Sequence, residues 1–220
     1  KMLLRTQKAT FQGAAGAIDC VLDLPGDAPS GWALVLHPHP LHGGARDNKI
    51  VTTVARACVQ HGLAALRPDF RGVGASEGSF DRAEGETTDM RMLVEQFAQA
   101  HAQAAGGRWV LAGFSFGTAV AAQLYAELAD RGMPLPDRLI LIGCAVERFR
   151  FRPVEVPGDT LLVHGELDEV VPLAEAMDFA RARQLPVTVV PDAGHFFHGK
   201  LLILRDIMES SLNSLAGGRA

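Results

Sequence analysis

Trp109-Val110-Leu111-Ala112-Gly113-Phe114-Ser115-Phe116-Gly117 is the stretch on which the fold turns. Its first four residues are apolar without interruption. They run into G-x-S-x-G, and Val120, Leu124 and Leu128 then recur at helical spacing. A strand, a sharp turn and a helix are the context that gives the motif meaning. The serine of such a turn sits in strained backbone, and small residues two positions to either side relieve the crowding. Ser115 is therefore expected above a sheet edge at a helix N-terminus, where the dipole and free N–H groups favour developing negative charge. It is the candidate nucleophile. Its purely structural alternative is a turn serine that caps a helix.

The same alternation extends outward in both directions. Short apolar runs at residues 18–22, 32–36, 64–67, 109–113, 139–142, 161–163 and 187–190 read as strands. Most are continuously apolar, as strands covered on both faces by helices should be. Residues 5–11 alternate more and fit an antiparallel edge strand. Between the runs, Met90, Leu93 and Phe97 form one helical stripe, and Leu201, Leu204, Met208 and Leu212 form another. The expectation is a mostly parallel, doubly wound α/β sheet of about seven to eight strands flanked by helices. No repeat or Pro/Gly-rich linker divides the chain, so residues 1–220 are expected to form a single domain.

Composition narrows the functional classes. Lys and Arg total 21 against 25 Asp and Glu, a net charge of −4, which argues against a basic nucleic-acid footprint. Hydrophobic residues at 48% and charged residues at 21% are ordinary for a soluble globular protein. No apolar run approaches the ~20 residues of a membrane span. The first five residues lack the extended apolar core and cleavage site of a signal peptide. Cys20, Cys58 and Cys144 are odd in number and far apart, suggesting neither a disulfide framework nor a zinc site. A cytoplasmic protein, monomeric or a homodimer, is expected.

A serine hydroxyl needs a base, and the base needs an acid to orient it. Past the run at 161–163 comes His164-Gly165-Glu166-Leu167-Asp168-Glu169, where Asp168 fits best as the acid and Glu166 and Glu169 compete. Past the run at 187–190 comes Gly194-His195-Phe196-Phe197-His198, which offers His195 as base with His198 as rival. The order Ser, Asp, His is one of the chain orders in which such a triad is built. An oxyanion hole needs two backbone donors, one from the residue after the nucleophile, here Phe116. The second should come from His37-Pro38-His39-Pro40-Leu41-His42-Gly43-Gly44. Pro38 and Pro40 have no N–H, which leaves His39, with Leu41 as the fallback.

Five motifs now stand together: HPHPLHGG at 37–44, DFRGVGAS at 69–76, GFSFG at 113–117, HGELDEVVP at 164–172 and GHFFHGK at 194–200. With them the chain resembles the small bacterial serine α/β-hydrolases bearing an H-P-H-P-x-x-G-G loop, relatives of the dienelactone hydrolases. The resemblance spans about residues 30 to 200. It implies the α/β-hydrolase fold, the Ser115–His195–Asp168 positions and cleavage of an ester-like bond without a cofactor or metal. Dienelactone hydrolases carry cysteine where this chain has Ser115, so their lactone substrate is not implied.

Other features invite functions that the spacing does not support. His37, His39 and His42 crowd one loop, but prolines interleave them and no acidic or cysteine ligand completes a metal spacing. The glycines after Arg71 miss the dinucleotide spacing by one position, and Gly194–Lys200 lacks the Ser or Thr that a phosphate loop needs for magnesium. Arg148, Arg150 and Arg152 alternate with Phe149 and Phe151, either as a solvated loop or as one basic face that attracts a carboxylate-bearing substrate. Finally, only residues 143–160 separate two strand candidates where larger relatives insert a helical cap. A site with little or no lid, open to small soluble esters, is expected.

Overall fold

The computed structural model describes residues 4–216. In chain order the elements are β1 (Arg5–Gly13), β2 (Gly16–Leu24), β3 (Gly31–Leu36), α1 (Lys49–Gln60), β4 (Leu63–Pro68), α2 (Glu84–Ala100) and the short α3 (Ala102–Ala105). They continue with β5 (Arg108–Phe114), α4 (Phe116–Asp130), β6 (Arg138–Ile142), β7 (Leu161–Gly165), α5 (Leu173–Arg183), β8 (Thr188–Val190) and α6 (Leu201–Ala216). One eight-stranded sheet runs in the order β1-β2-β4-β3-β5-β6-β7-β8.

From β4 to β8 every pairing is parallel, and β1–β2 and β2–β4 are antiparallel. The antiparallel edge strand expected at residues 5–11 is therefore present, but it does not stand alone. Residues 18–22, whose run resembles the parallel strands, belong to β2 and also run antiparallel. β2 is largely buried, so an apolar run there reports coverage of both faces, not direction. Three helices, α1, α5 and the short α3, lie outside the stripes picked out above.

Side-chain alternation splits the core across the sheet. Trp32, Leu34, Leu36, Trp109 and Leu111 face α2 and α4, packing with Phe97, Val120 and Leu124. Ala33, Val35, Val110, Ala112 and Phe114 face α1 and α6, packing with Val54, Leu204 and Met208. Trp32 and Trp109 are cross-strand partners whose rings stack 4.5 Å apart, with Phe97 against the first at 4.1 Å. They are core residues, and such aromatic pairs add about 1 kcal/mol beyond the area they bury. Residues 143–160 carry a single short 3-10 turn, Val146–Arg148, and no inserted helix. The carboxyl ends of the parallel strands are thus left without a lid.

Candidate active site

The turn after β5 is built around two glycines. A Cβ on Gly113 would lie 2.2 Å from the Gly117 carbonyl oxygen, and one on Gly117 would lie 2.4 Å from that of Leu36. Neither position admits a larger residue. Between them Ser115 adopts φ 54°, ψ −118°, a left-handed conformation that costs a non-glycine residue about 1–3 kcal/mol. The Ser115 N–H donates to the Ile142 carbonyl at 2.9 Å. The Thr118 hydroxyl donates to the Ser115 carbonyl at 2.6 Å and accepts from the Ala145 N–H at 2.8 Å. These bonds tie the strained turn to the loop beyond β6. Phe116 opens α4, so its N–H belongs to the first turn, which has no helical acceptors.

Two more loops converge on the serine from the carboxyl ends of β7 and β8. His195 Nε2 lies 3.0 Å from Ser115 Oγ, and His195 Nδ1 lies 2.8 Å from Asp168 Oδ2. The other carboxylate oxygen, Oδ1, accepts the N–H groups of Val170 at 2.9 Å and Val171 at 2.8 Å. All three residues are buried. Burial alone would raise the Asp168 carboxyl pKa. The His195 bond and the two backbone donors outweigh it and hold the group below its ordinary value. Asp168 is accordingly an anion beside the imidazole, which fixes the proton on Nδ1 and leaves the Nε2 lone pair facing Ser115.

The competing residues occupy the same two loops and make other bonds. Glu166 accepts the Asp192 N–H at 3.1 Å, and Glu169 accepts that of His195 at 3.3 Å. Both carboxylates therefore brace the loop that carries the imidazole. His198 is exposed in the turn before α6, which begins at Leu201, its ring centroid 6.1 Å from that of Phe196. His164 opens the HGELDEVVP motif with no role assigned to it there, and Thr118 falls outside the motifs. His164 lies fully buried with Nε2 2.7 Å from the Val171 carbonyl and 3.4 Å from Asp168 Oδ2. Thr118 has a readable signal, a hydroxyl three residues past the serine on the first helical turn. His164 has none that local spacing could supply.

The loop after β3 closes the third side. Its first histidine, His37, donates from Nδ1 to the Pro38 carbonyl at 2.7 Å and accepts the Phe70 N–H on Nε2 at 3.0 Å. It staples the loop to the segment after β4. Burial pushes its pKa down to about 4, opposed by the Pro38 bond and aided by the charge of Arg46. The unfolded chain takes up this proton near 6.5, so stability present at neutral pH is lost as pH falls from 6.5 toward 4. By pH 4.5 the loss from this one group is on the order of 2–3 kcal/mol. Urea unfolding of His37→Gln at pH 7 and 4.5 should show an acid penalty smaller by about that amount. An equal penalty in both proteins would contradict the assignment.

His39 and Leu41 share one hydrogen bond. The Leu41 N–H donates to His39 Nδ1 at 3.1 Å and is spoken for. The His39 ring, its pKa lowered by burial and by its neighbour His42, stacks on His42 at 4.2 Å and packs on Phe116 at 5.4 Å. His37 is thus engaged with Pro38 and Phe70, apart from the stacked pair His39 and His42. The cysteines are all free and buried, and burial pushes Cys58 and Cys144 up to about 12, far from a reactive thiolate. A cavity of about 620 Å³ lies at the opposite, amino-terminal edge of the sheet, lined by Arg138, Asp159 and Ser211, and holds none of these groups.

A serine in a strained strand-to-helix turn, facing a histidine and an aspartate from later strand ends of this sheet, defines the α/β-hydrolase class. The chain belongs to the hydrolase family described as Serine aminopeptidase, S33, whose model matches residues 39–154. It is similar to XC6422 of Xanthomonas campestris, an a/b serine hydrolase without lid. The two are 33% identical over 98% of this chain and 97% of that one, with a TM-score of 0.86. An alpha-beta serine hydrolase homologue from Coxiella burnetii matches at 34% identity over 94% and 97% of the two chains, with a TM-score of 0.80. An uncharacterized protein of Rickettsia prowazekii, RP471, is 31% identical over 76% of this chain and 72% of its own.

Proposed function

We propose that this hydrolase is a carboxylesterase-like serine enzyme that cleaves small soluble esters. The observation that carries the reading is the unbroken hydrogen-bonded chain from Asp168 through His195 to Ser115, at 2.8 and 3.0 Å. Ser115 Oγ attacks the ester carbonyl as His195 Nε2 takes its proton, and Asp168 stabilises the resulting imidazolium. The N–H groups of Phe116 and His39 hold the tetrahedral oxyanion. Collapse breaks the carbon–oxygen bond, and His195 returns the proton to the departing alcohol. A water deprotonated by His195 then attacks the acyl-enzyme, releasing a carboxylic acid and restoring Ser115. No cofactor enters any step.

The open site supports small substrates, since residues 143–160 supply no cap to enclose a long chain. The HPHPLHGG loop supports the place within the lidless bacterial enzymes related to dienelactone hydrolases. One domain acting in the cytoplasm is part of the same reading, in keeping with three buried free cysteines. The family description favours one second reading, peptide hydrolysis through the same residues. Rates on matched ester, thioester and anilide substrates separate the two. The ester should exceed the anilide by at least about tenfold in kcat/KM, because the anilide leaves as a much poorer group. Faster anilide cleavage would move the protein to the peptidases. A ligand-binding relative without chemistry would cleave none of them.

A further inference from the structure

A cleft of about 480 Å³ lies between the segment entering α2 and the loop after β6. One wall carries Phe80, Arg82 and Glu84, and the other carries Arg148, Phe149 and Arg150. Its base is aromatic and packs on Phe116, the residue after the serine, and on His39. Phe80 and Phe149 pack on Phe116 at 5.4 and 5.0 Å, and on His39 at 4.8 and 5.5 Å. The cleft therefore begins at the two residues whose N–H groups are proposed to hold the oxyanion. His195 is flanked instead by Phe114 and Phe196. Since His195 must protonate the leaving oxygen, the alcohol belongs on that side. The acyl group then extends the other way, into the cleft.

The charges along the cleft are unequal in their freedom. Arg148 is held by Glu175 at 2.6 Å, Arg150 by Glu147 at 3.1 Å, and Asp81 faces Arg71 at 4.0 Å. Arg152 does not line the cleft and pairs with Asp130. The three arginines of residues 148–152 thus do not form one basic face, because an acid claims each of them, nearby Glu147 for Arg150 and the distant Glu175 and Asp130 for the other two. Glu84 sits in the first turn of α2, where the helix dipole favours a carboxylate. Arg82 alone among these cations has no carboxylate within 4.0 Å among the described residues, and it is exposed.

The backbone presents this arginine deliberately. Arg82 and Ala83 both have positive φ, 52° and 81°, without a glycine between them. Such strain persists only where the surroundings impose it. Here the fully buried Glu86 imposes it, its Oε2 accepting the Asp81 N–H at 2.9 Å and its Oε1 the Ala83 N–H at 3.2 Å. One carboxylate grips the chain on both sides of Arg82 and fixes the backbone from which its side chain starts.

We infer that this cleft is the acyl subsite and that it selects esters whose acyl group is an apolar or aromatic body ending in a carboxylate, read by Arg82. The inference rests on the ester-hydrolase reading. Its test uses two esters with the same leaving group and the same rigid ring, mono-4-nitrophenyl terephthalate and 4-nitrophenyl 4-methylbenzoate. Wild-type enzyme should prefer the charged ester in kcat/KM, chiefly through KM. Arg82→Gln should cut that preference about tenfold, the worth of one charge-assisted hydrogen bond. Arg82→Lys should restore part of it, Arg82→Glu should invert it, and 0.5 M salt should weaken it in the wild type. Hydrolysis of both esters without preference, or a preference indifferent to Arg82, overturns the subsite and leaves the hydrolase standing. No hydrolysis of either ester, with Ser115 inert to a fluorophosphonate, overturns both.

Discussion

Ser115→Ala should lower turnover of a short 4-nitrophenyl ester by at least about 10⁴-fold, leaving only the residue that binding and an oxyanion hole supply without a nucleophile. The size follows from what the substitution removes. It deletes the atom that attacks, not a contact that assists. Little else should change. Alanine occupies the φ 54° turn at the same backbone cost as serine, Gly113 and Gly117 stay in place, and Thr118 still grips the carbonyl of residue 115. Circular dichroism and the melting temperature should therefore match the wild type while steady-state rates collapse. Undiminished turnover would show that another group attacks.

Asp168→Asn should cost about 10⁴-fold in kcat through a different route. An asparagine keeps an acceptor for the Val170 and Val171 N–H groups. That orientation points its amide nitrogen at His195 Nδ1, a donor where an acceptor stood. The imidazole must then carry its proton on Nε2, and the lone pair that takes the Ser115 proton is gone. KM should move little. Glu166→Gln and Glu169→Gln remove braces from the neighbouring loop and should cost far less, because each leaves the Asp168–His195–Ser115 chain intact. A larger loss at either glutamate than at Asp168 would transfer the orienting role.

These residues differ in how openly the sequence displays them. Ser115 is legible because its constraint is local, glycines at 113 and 117 being the only residues the turn admits. Asp168 and His195 follow from chain order and from lying just past strand ends. The choice of Asp168 over Glu166 and Glu169 is less visible. It depends on which carboxylate meets the Val170 and Val171 N–H groups, a matter of turn geometry. The proposal of His39 over Leu41 rests in the same way on a ring nitrogen that accepts the Leu41 N–H.

The remainder was hidden by distance along the chain. Nothing near Arg148 or Arg152 shows that Glu175 and Asp130 neutralise them. Glu86 stands only four residues past Arg82, yet the residue types alone do not show that its carboxylate bends the backbone there. The direction of β2 is likewise silent, since a strand covered on both faces looks the same whichever way it runs. α5 escapes notice because its buried face is small, Ala176 and Ala180 beside Phe179.

The most direct test of the central claim is labelling with a fluorophosphonate probe followed by peptide mass mapping. Such probes react with a serine only when a neighbouring base activates it. The expected result is one adduct on Ser115 in the wild-type protein, none in Ser115→Ala, and strongly slowed labelling in His195→Ala but not in His198→Ala. A folded wild-type protein that stays unlabelled, or carries its adduct elsewhere, would contradict the account.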